Sequence, residues 1–303
     1  MISRVAIIGM GAVGAMVAKN LQSFLGKDNV ECICKGDRFA RYKKDGILIN
    51  GIRQDFNYVL PENLHKADLV IIATKNLHLA EILPDIKNAV GENTAILSLL
   101  NGIQSEKDIS CVYGEEKTLY GFIVGLSSVH EGNNIDCSDV GTIVFGEKDN
   151  SVTERIKDIE TLFKFSNQKY KNPEDIHVEQ WKKFLMNVTC NTTTALCRAP
   201  YGVFQNESLR SVVRQAGKEV IAVAKAEGII LTEQMTEDNI NIMDTINPKG
   251  KTSMFQDVEA KRRTENKWFC GTVVELGRKH AIETPVCAVL EKLIDVTEAS
   301  WDI

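Results

Sequence analysis

The sequence predicts an α/β chain, with a doubly wound parallel sheet in its N-terminal half and an all-helical domain after it. Three observations carry the prediction. Over residues 1–172, short apolar runs alternate with segments of helical spacing, the pattern of a parallel sheet with helices on both faces. The first apolar run ends on glycines at 9, 11 and 14 and passes directly into a helix-like segment. From 173 to 303 the strand-like runs give way to long segments with apolar residues at helical spacing.

RVAIIG opens the sheet as a strand, and AVGAMVAKNLQSFL follows as a helix. VECICK is the second strand. DLVIIAT (68–74) and TAILSLL (94–100) are near-continuous apolar runs, as strands buried on both faces are. Between them AEILPDIKNAV reads as a helix. LYGFIVGLSSV and GTIVFGE add strands, and ERIKDIETLFKFS adds a helix. NPEDIHVEQ carries a proline and several charged or titratable groups and reads as the link to the second domain. VEQWKKFLMNVTCNTTTAL, ESLRSVVRQAGKEVIAVAKAEG, SMFQDVEAKRR and a last stretch near the C-terminus read as helices.

The chain has 303 residues, 44% hydrophobic and 25% charged, enough to bury a core in each of two domains. Its formal net charge of −5 argues against a nucleic-acid partner. No apolar run reaches the ~18 residues of a membrane span, and the first strand begins too early to leave room for a secretory signal. The eight cysteines include no Cys-x-x-Cys and read as reduced core thiols of a cytoplasmic protein. The five histidines have no metal-ligand spacing, so no metal site is expected.

Gly9-Met10-Gly11-Ala12-Val13-Gly14 fits Gly-x-Gly-x-x-Gly between a strand and a helix. In a Rossmann-type domain the first glycine permits the turn, the second admits a pyrophosphate, and the third lets helix and strand pack closely. The helix start then favours the diphosphate charge. The second strand ends in Lys35-Gly36, with Arg38 beyond, where an NAD site would carry a carboxylate; Glu31 lies too far upstream. A cation there points to the 2′-phosphate of NADPH. Lys75 and Asn101 end two further strands, on the side where ligands bind open α/β sheets.

In WKKFLMNVTCNTTTAL, Lys183, Asn187 and Asn191 recur at i, i+4 and i+8, within about 80° on an ideal helix. Trp181, Phe184, Leu185 and Val188 form a broad apolar face, and Met186 and Cys190 flank the stripe on its other side. A helix apolar on every side but one belongs in an interior, and its polar groups need partners there. The stripe therefore reads as the lining of a cavity beside the nicotinamide, with Lys183 suited to proton transfer. Ser253-Met-Phe-Gln256 reads as a capping box for a helix over 253–262, with Lys261, Arg262 and Arg263 as its C-terminal charges.

Taken together, IIGMGAVG, TKNLH (74–78), LLNGI (99–103), WKKFLMNVTCN (181–191) and TSMFQDVEAKRRTE (252–265) resemble the 2-dehydropantoate 2-reductase (ketopantoate reductase) family of pantothenate biosynthesis over nearly the whole chain. The resemblance implies NADPH-dependent reduction of the C2 ketone of 2-dehydropantoate to pantoate. It implies residues 1–172 as the NADP-binding domain and 173–303 as the substrate domain. Lys183 would be the general acid, with Glu265 contacting the substrate and helping to place it. Asn187 and Asn191 would hold the substrate's hydroxyl end, and Ser253 its carboxylate. Lys75 and Asn101 would line the nicotinamide side, and Lys35 stands where the family usually has arginine. Lysine lacks the bidentate fork that suits phosphate. Two other readings stand beside it: a paralogous reductase of another 2-oxo acid, which shares these residues, and a non-catalytic NADP-binding protein, which would have no reason to keep Lys183 with Asn187, Asn191 and Glu265. The apolar helix faces of the second half leave room for a homodimer.

Overall fold

The computed structural model describes residues 1–126 and 128–302. The chain divides into two compact units, residues 1–100 with 104–176, and residues 101–103 with 177–303.

The strands of the first unit are β1 (Val5–Ile8), β2 (Val30–Ile33), β3 (Ile47–Ile49), β4 (Ile52–Gln54), β5 (Asn57–Val59), β6 (Ala67–Ile72), β7 (Val90–Ser98), β8 (Thr118–Val124), β9 (Ser128–Glu131), β10 (Asn134–Cys137), β11 (Thr142–Gly146) and β12 (Tyr170–Lys171). Eight of them form one sheet in the order β12-β11-β8-β7-β6-β1-β2-β5. Every pairing in it is parallel except β8 with β11. From β5 to β8 the order is that of a dinucleotide-binding sheet, and the strand order reverses between β1 and β6. The continuous apolar runs have their cause here: Val5, Ala6 and Ile7 in β1 and Leu69 to Ile72 in β6 are fully buried. A smaller sheet, β4-β3-β10-β9, sets Ile47, Ile49 and Ile135 into the same core.

The helices of this unit are α1 (Ala12–Leu25), α2 (Gly36–Asp45), α3 (Leu79–Ile82), α4 (Ser105–Tyr113) and α5 (Glu154–Phe165). The helix expected over AEILPDIKNAV is interrupted. It is helical only to Ile82, continues as a 3-10 turn over Leu83–Ile86, and Val90 already begins β7. Pro84 is the reason, because it cannot donate to the preceding turn. The strand expected through residues 119–129 ends at Val124, and Ser127 lies outside the described residues.

The remaining helices are α6 (Ile176–Met186), α7 (Thr192–Cys197), α8 (Glu207–Ala226), α9 (Glu233–Thr245), α10 (Ser253–Glu259), α11 (Cys270–Lys279) and α12 (Pro285–Ala299). The link read in NPEDIHVEQ is shorter than expected, since α6 already starts at Ile176. Between α6 and α7, Asn187–Asn191 form a π-helical turn rather than the continuous α-helix expected. The hydroxyls of Thr189, Thr193 and Thr194 each bond the carbonyl four residues back, at 2.7, 2.7 and 2.8 Å. Such bonds compete with the regular ladder and bend helices. Trp181, Phe184, Leu185 and Val188 pack with α8, α11 and α12 residues, while Cys190 packs with Phe204, Val213 and Ile240. The segment is thus enclosed by apolar clusters on two sides.

The helix expected over 253–262 ends at Glu259, and its cap is Thr252, not Ser253: the Thr252 hydroxyl accepts from the Phe255 amide at 3.2 Å. Ser253 is exposed. Arg262 and Arg263 lie past the helix and pair with Asp257 at 3.0 Å and Glu298 at 2.9 Å, so they are not its terminal charges. Cys32, Cys34, Cys190, Cys270 and Cys287 are buried free thiols, but Cys111 and Cys197 are exposed, so not all eight are core residues. Among the described residues, no helix is long and apolar enough to cross a membrane, and no group of three or more His, Cys, Asp or Glu is placed to hold a metal ion.

Candidate functional site

The glycine turn sits where the strand order reverses. Gly9 has φ +97°, and a Cβ there would lie 2.5 Å from the Ala73 carbonyl carbon at the end of β6. A Cβ on Gly14 would lie 1.9 Å from the Gly9 oxygen. Both positions therefore exclude a side chain. Gly11 differs, since a Cβ there would meet nothing within 4 Å. It is the N-cap of α1, which has no side-chain cap and no acidic residue in its first turn. The N–H groups and positive end of that helix are left for an anion. The Thr74 hydroxyl, just past β6, is buried without a hydrogen-bond partner. An open glycine at an uncapped helix start, beside an orphaned hydroxyl, fits the diphosphate of a dinucleotide. The Met10 side chain is core, and Ala12 and Val13 are half-buried against that core, so these three can offer a ligand chiefly backbone.

Lys35 is the N-cap residue of α2, and its Nζ lies 3.0 and 2.8 Å from the two carboxylate oxygens of Asp85. Glu31 is buried and accepts from Arg4 Nη1 at 3.3 Å and from the His65 amide at 3.1 Å, with His65 Nδ1 at 2.6 Å. It is committed inside the sheet. Lys75, half-buried, begins the 3-10 turn Asn76–His78 directly after Thr74.

In the second unit the structure joins three of the expected residues. Lys183 Nζ donates to Asn101 Oδ1 at 2.8 Å, and Asn101 Nδ2 donates to Glu265 Oε2 at 2.9 Å. Asn101 follows β7 and clusters with the second unit, and Gly102 beside it has φ +90°. Glu265 is buried. Lys183 is half-buried, less enclosed than the polar stripe suggested. One turn on, Asn191 Nδ2 donates to Asn187 Oδ1 at 3.1 Å. The Asn187 Nδ2 is buried and has no partner. Leaving such a donor unmade costs about 1–3 kcal/mol, which a ligand oxygen would recover. Ser253 has no hydrogen bond to any of these groups.

Residues the sequence did not single out hold this arrangement. Glu298, buried near the end of α12, accepts from the Thr264 amide at 2.8 Å, the Thr264 hydroxyl at 2.7 Å and Arg263 Nη1 at 2.9 Å. Asn266 Nδ2 donates to the Glu291 carbonyl at 2.9 Å and to Asp295 Oδ1 at 3.1 Å. The segment carrying Glu265 is therefore fastened on both sides to α12. The start of α12 is fixed in turn by Glu219, which accepts from the Val286 and Cys287 amides, both at 2.8 Å. No sequence spacing links these residues.

Comparison with known proteins bears on the family of the chain. Residues 5–150 match the family model of ketopantoate reductase PanE/ApbA, and residues 175–298 match that of its C-terminal domain. The chain is 30% identical to a 2-dehydropantoate 2-reductase of Streptococcus pyogenes over 99% of both chains. Among solved structures it resembles D-mandelate dehydrogenase with NADH and anilino(oxo)acetate, at a TM-score of 0.91 and 23% identity over 99% of this chain and 100% of that one. It also resembles a dimeric ketopantoate reductase from Staphylococcus aureus, at 0.84 and 23% over 98% and 99%. A sheet ordered for dinucleotide binding, a helical unit joining Lys183 to Glu265, and matches along nearly the whole length agree: the chain belongs to the ketopantoate reductase family of oxidoreductases.

Proposed function

We propose that the protein reduces 2-dehydropantoate to pantoate with NADPH. The hydrogen-bonded series Lys183–Asn101–Glu265 is the observation that carries this reading. Gly9, Gly11, Gly14, Thr74 and Lys75 would hold the cofactor, with Lys35 toward its 2′-phosphate. Bound NADPH would supply hydride to the substrate's C2. Lys183 Nζ holds the proton that the C2 oxygen takes as negative charge grows on it. Asn101 fixes the ammonium's direction, and the Glu265 carboxylate behind it supports the positive charge. The Asn187 Nδ2 is a donor for a substrate oxygen, with Asn191 holding its amide in place. Ser253, at the start of α10, is left for the substrate carboxylate.

The relative from Streptococcus pyogenes supports this substrate, and the series itself suits any 2-oxo acid, since none of its members reads the substrate's tail. The first experiment is loss of NADPH absorbance with 2-dehydropantoate and, in parallel, with other 2-oxo acids. Turnover fastest on 2-dehydropantoate supports the proposal; turnover confined to another 2-oxo acid replaces the substrate and keeps the site. We further propose a homodimer formed through α12, on which Val289, Leu293 and Val296 are 59%, 48% and 65% exposed at i, i+4 and i+7.

A further inference from the structure

Resting on the reading that the glycine turn holds a nicotinamide dinucleotide, we infer that Asp85 sets the choice between NADPH and NADH, by engaging Lys35 and opposing a 2′-phosphate beside it. The end of β2 is where such a sheet meets the adenosine ribose. Lys35 follows β2, and Asp85 lies in the 3-10 turn Leu83–Ile86 that follows α3 in the crossover from β6, so the pair joins the chain on either side of β1. Both Asp85 oxygens lie within 3.0 Å of the Lys35 Nζ. The Asp85 side chain is 14% exposed and that of Lys35 49%, so the carboxylate is the more fixed member.

A 2′-phosphate that recruits Lys35 must share its ammonium with this carboxylate and accept a like charge nearby. A 2′-hydroxyl meets no such opposition, because it can donate to Asp85. An arginine at this position could serve both anions with separate N–H groups, whereas lysine offers one compact charge. Asp85 thus brings to the ribose the carboxylate that β2 does not supply, from a different crossover of the sheet. Lys35 favours NADPH and Asp85 moderates that preference.

The test is calorimetric titration of the whole protein with NADPH and with NADH, for wild type, Asp85→Asn and Asp85→Ser. The serine variant removes the carboxylate without leaving an amide to donate to phosphate. Removing the charge is expected to raise the ratio of Kd for NADH to Kd for NADPH about three- to tenfold in both variants, with the larger change at low salt. Binding of both dinucleotides with that ratio unchanged or lowered overturns the inference and leaves the glycine-turn reading standing. Failure of the wild type to bind either dinucleotide overturns both.

Discussion

Lys183, Asn101 and Glu265 come from an α-helix, a strand-end loop and a post-helix loop, 82 and 164 residues apart in the pairs that touch. Only one orientation of the Asn101 amide satisfies both neighbours, since an ammonium must donate to its oxygen and a carboxylate must accept from its nitrogen. The amide is thereby locked, and the ammonium with it. Lys183→Ala is expected to lower kcat by about 100-fold or more, the usual scale of a lost general acid. Because Lys183 is remote in role from the glycine turn, the Kd for NADPH should change less than about threefold. Steady-state kinetics with a parallel titration checks both, and near-normal turnover would remove Lys183 from the acid's role. Lys183, Asn187 and Asn191 were legible because polar residues on an otherwise apolar helix have to be explained. Thr74, Asp85 and Glu298 were not: the Thr74 hydroxyl is marked only by its burial without a partner, and Asp85 and Glu298 bond residues that only folding brings near.

At the level of elements, the sequence carried β1, β2, β6, β7, β8 and β11 and the helices α1, α5, α6, α8 and α12, but not the short strands β3, β4, β5, β9, β10 and β12 or the helices α2, α4 and α9, and its errors have physical causes. Pro84 breaks the helix that the apolar spacing suggested. Thr252 and Ser253 are both good caps, and burial rather than residue type decides between them: Thr252 is enclosed and bonds the Thr194 hydroxyl at 2.9 Å. The π turn left no signature in hydrophobic spacing, because it lies where the helix is apolar nearly all round. Packing between α8 and α11 gives a further expectation. Glu227, just after α8, accepts from Lys279 Nζ at 2.6 Å and pairs with His280 at the end of α11. The Lys279 hydrogen bond, opposed by partial burial and aided by His280, holds the Glu227 carboxyl below its ordinary value. A carboxyl depressed in the folded state stabilises above its unfolded pKa, and that stability is lost as pH falls through the folded value. Glu227→Gln should therefore cost about 1 kcal/mol at pH 7, with the difference from wild type closing below about pH 4. Urea unfolding at the two pH values reads it; an equal deficit at both would assign the loss to packing.

For the whole molecule, a doubly wound parallel sheet followed from alternation and one glycine motif, but the antiparallel entry of β11 beside β8 did not. Chain direction is not written in apolar runs, which look alike whichever way a strand is laid. Assembly is decided by what remains exposed. A stripe of Val289, Leu293 and Val296 on α12 predicts a particle of twice the chain mass by light scattering at micromolar concentration, and a monomer for Leu293→Glu with Val296→Glu. A monomeric wild type would dismiss α12 as the interface.

The attachment of residues 263–266 to α12 has a genetic consequence. A nonsense or frameshift lesion that removes Asp295 and Glu298 takes with them the anchors of the segment that carries Glu265. The dinucleotide-binding sheet is encoded entirely upstream and would be translated intact. Such a lesion thus falls on the proposed site and spares the nucleotide fold.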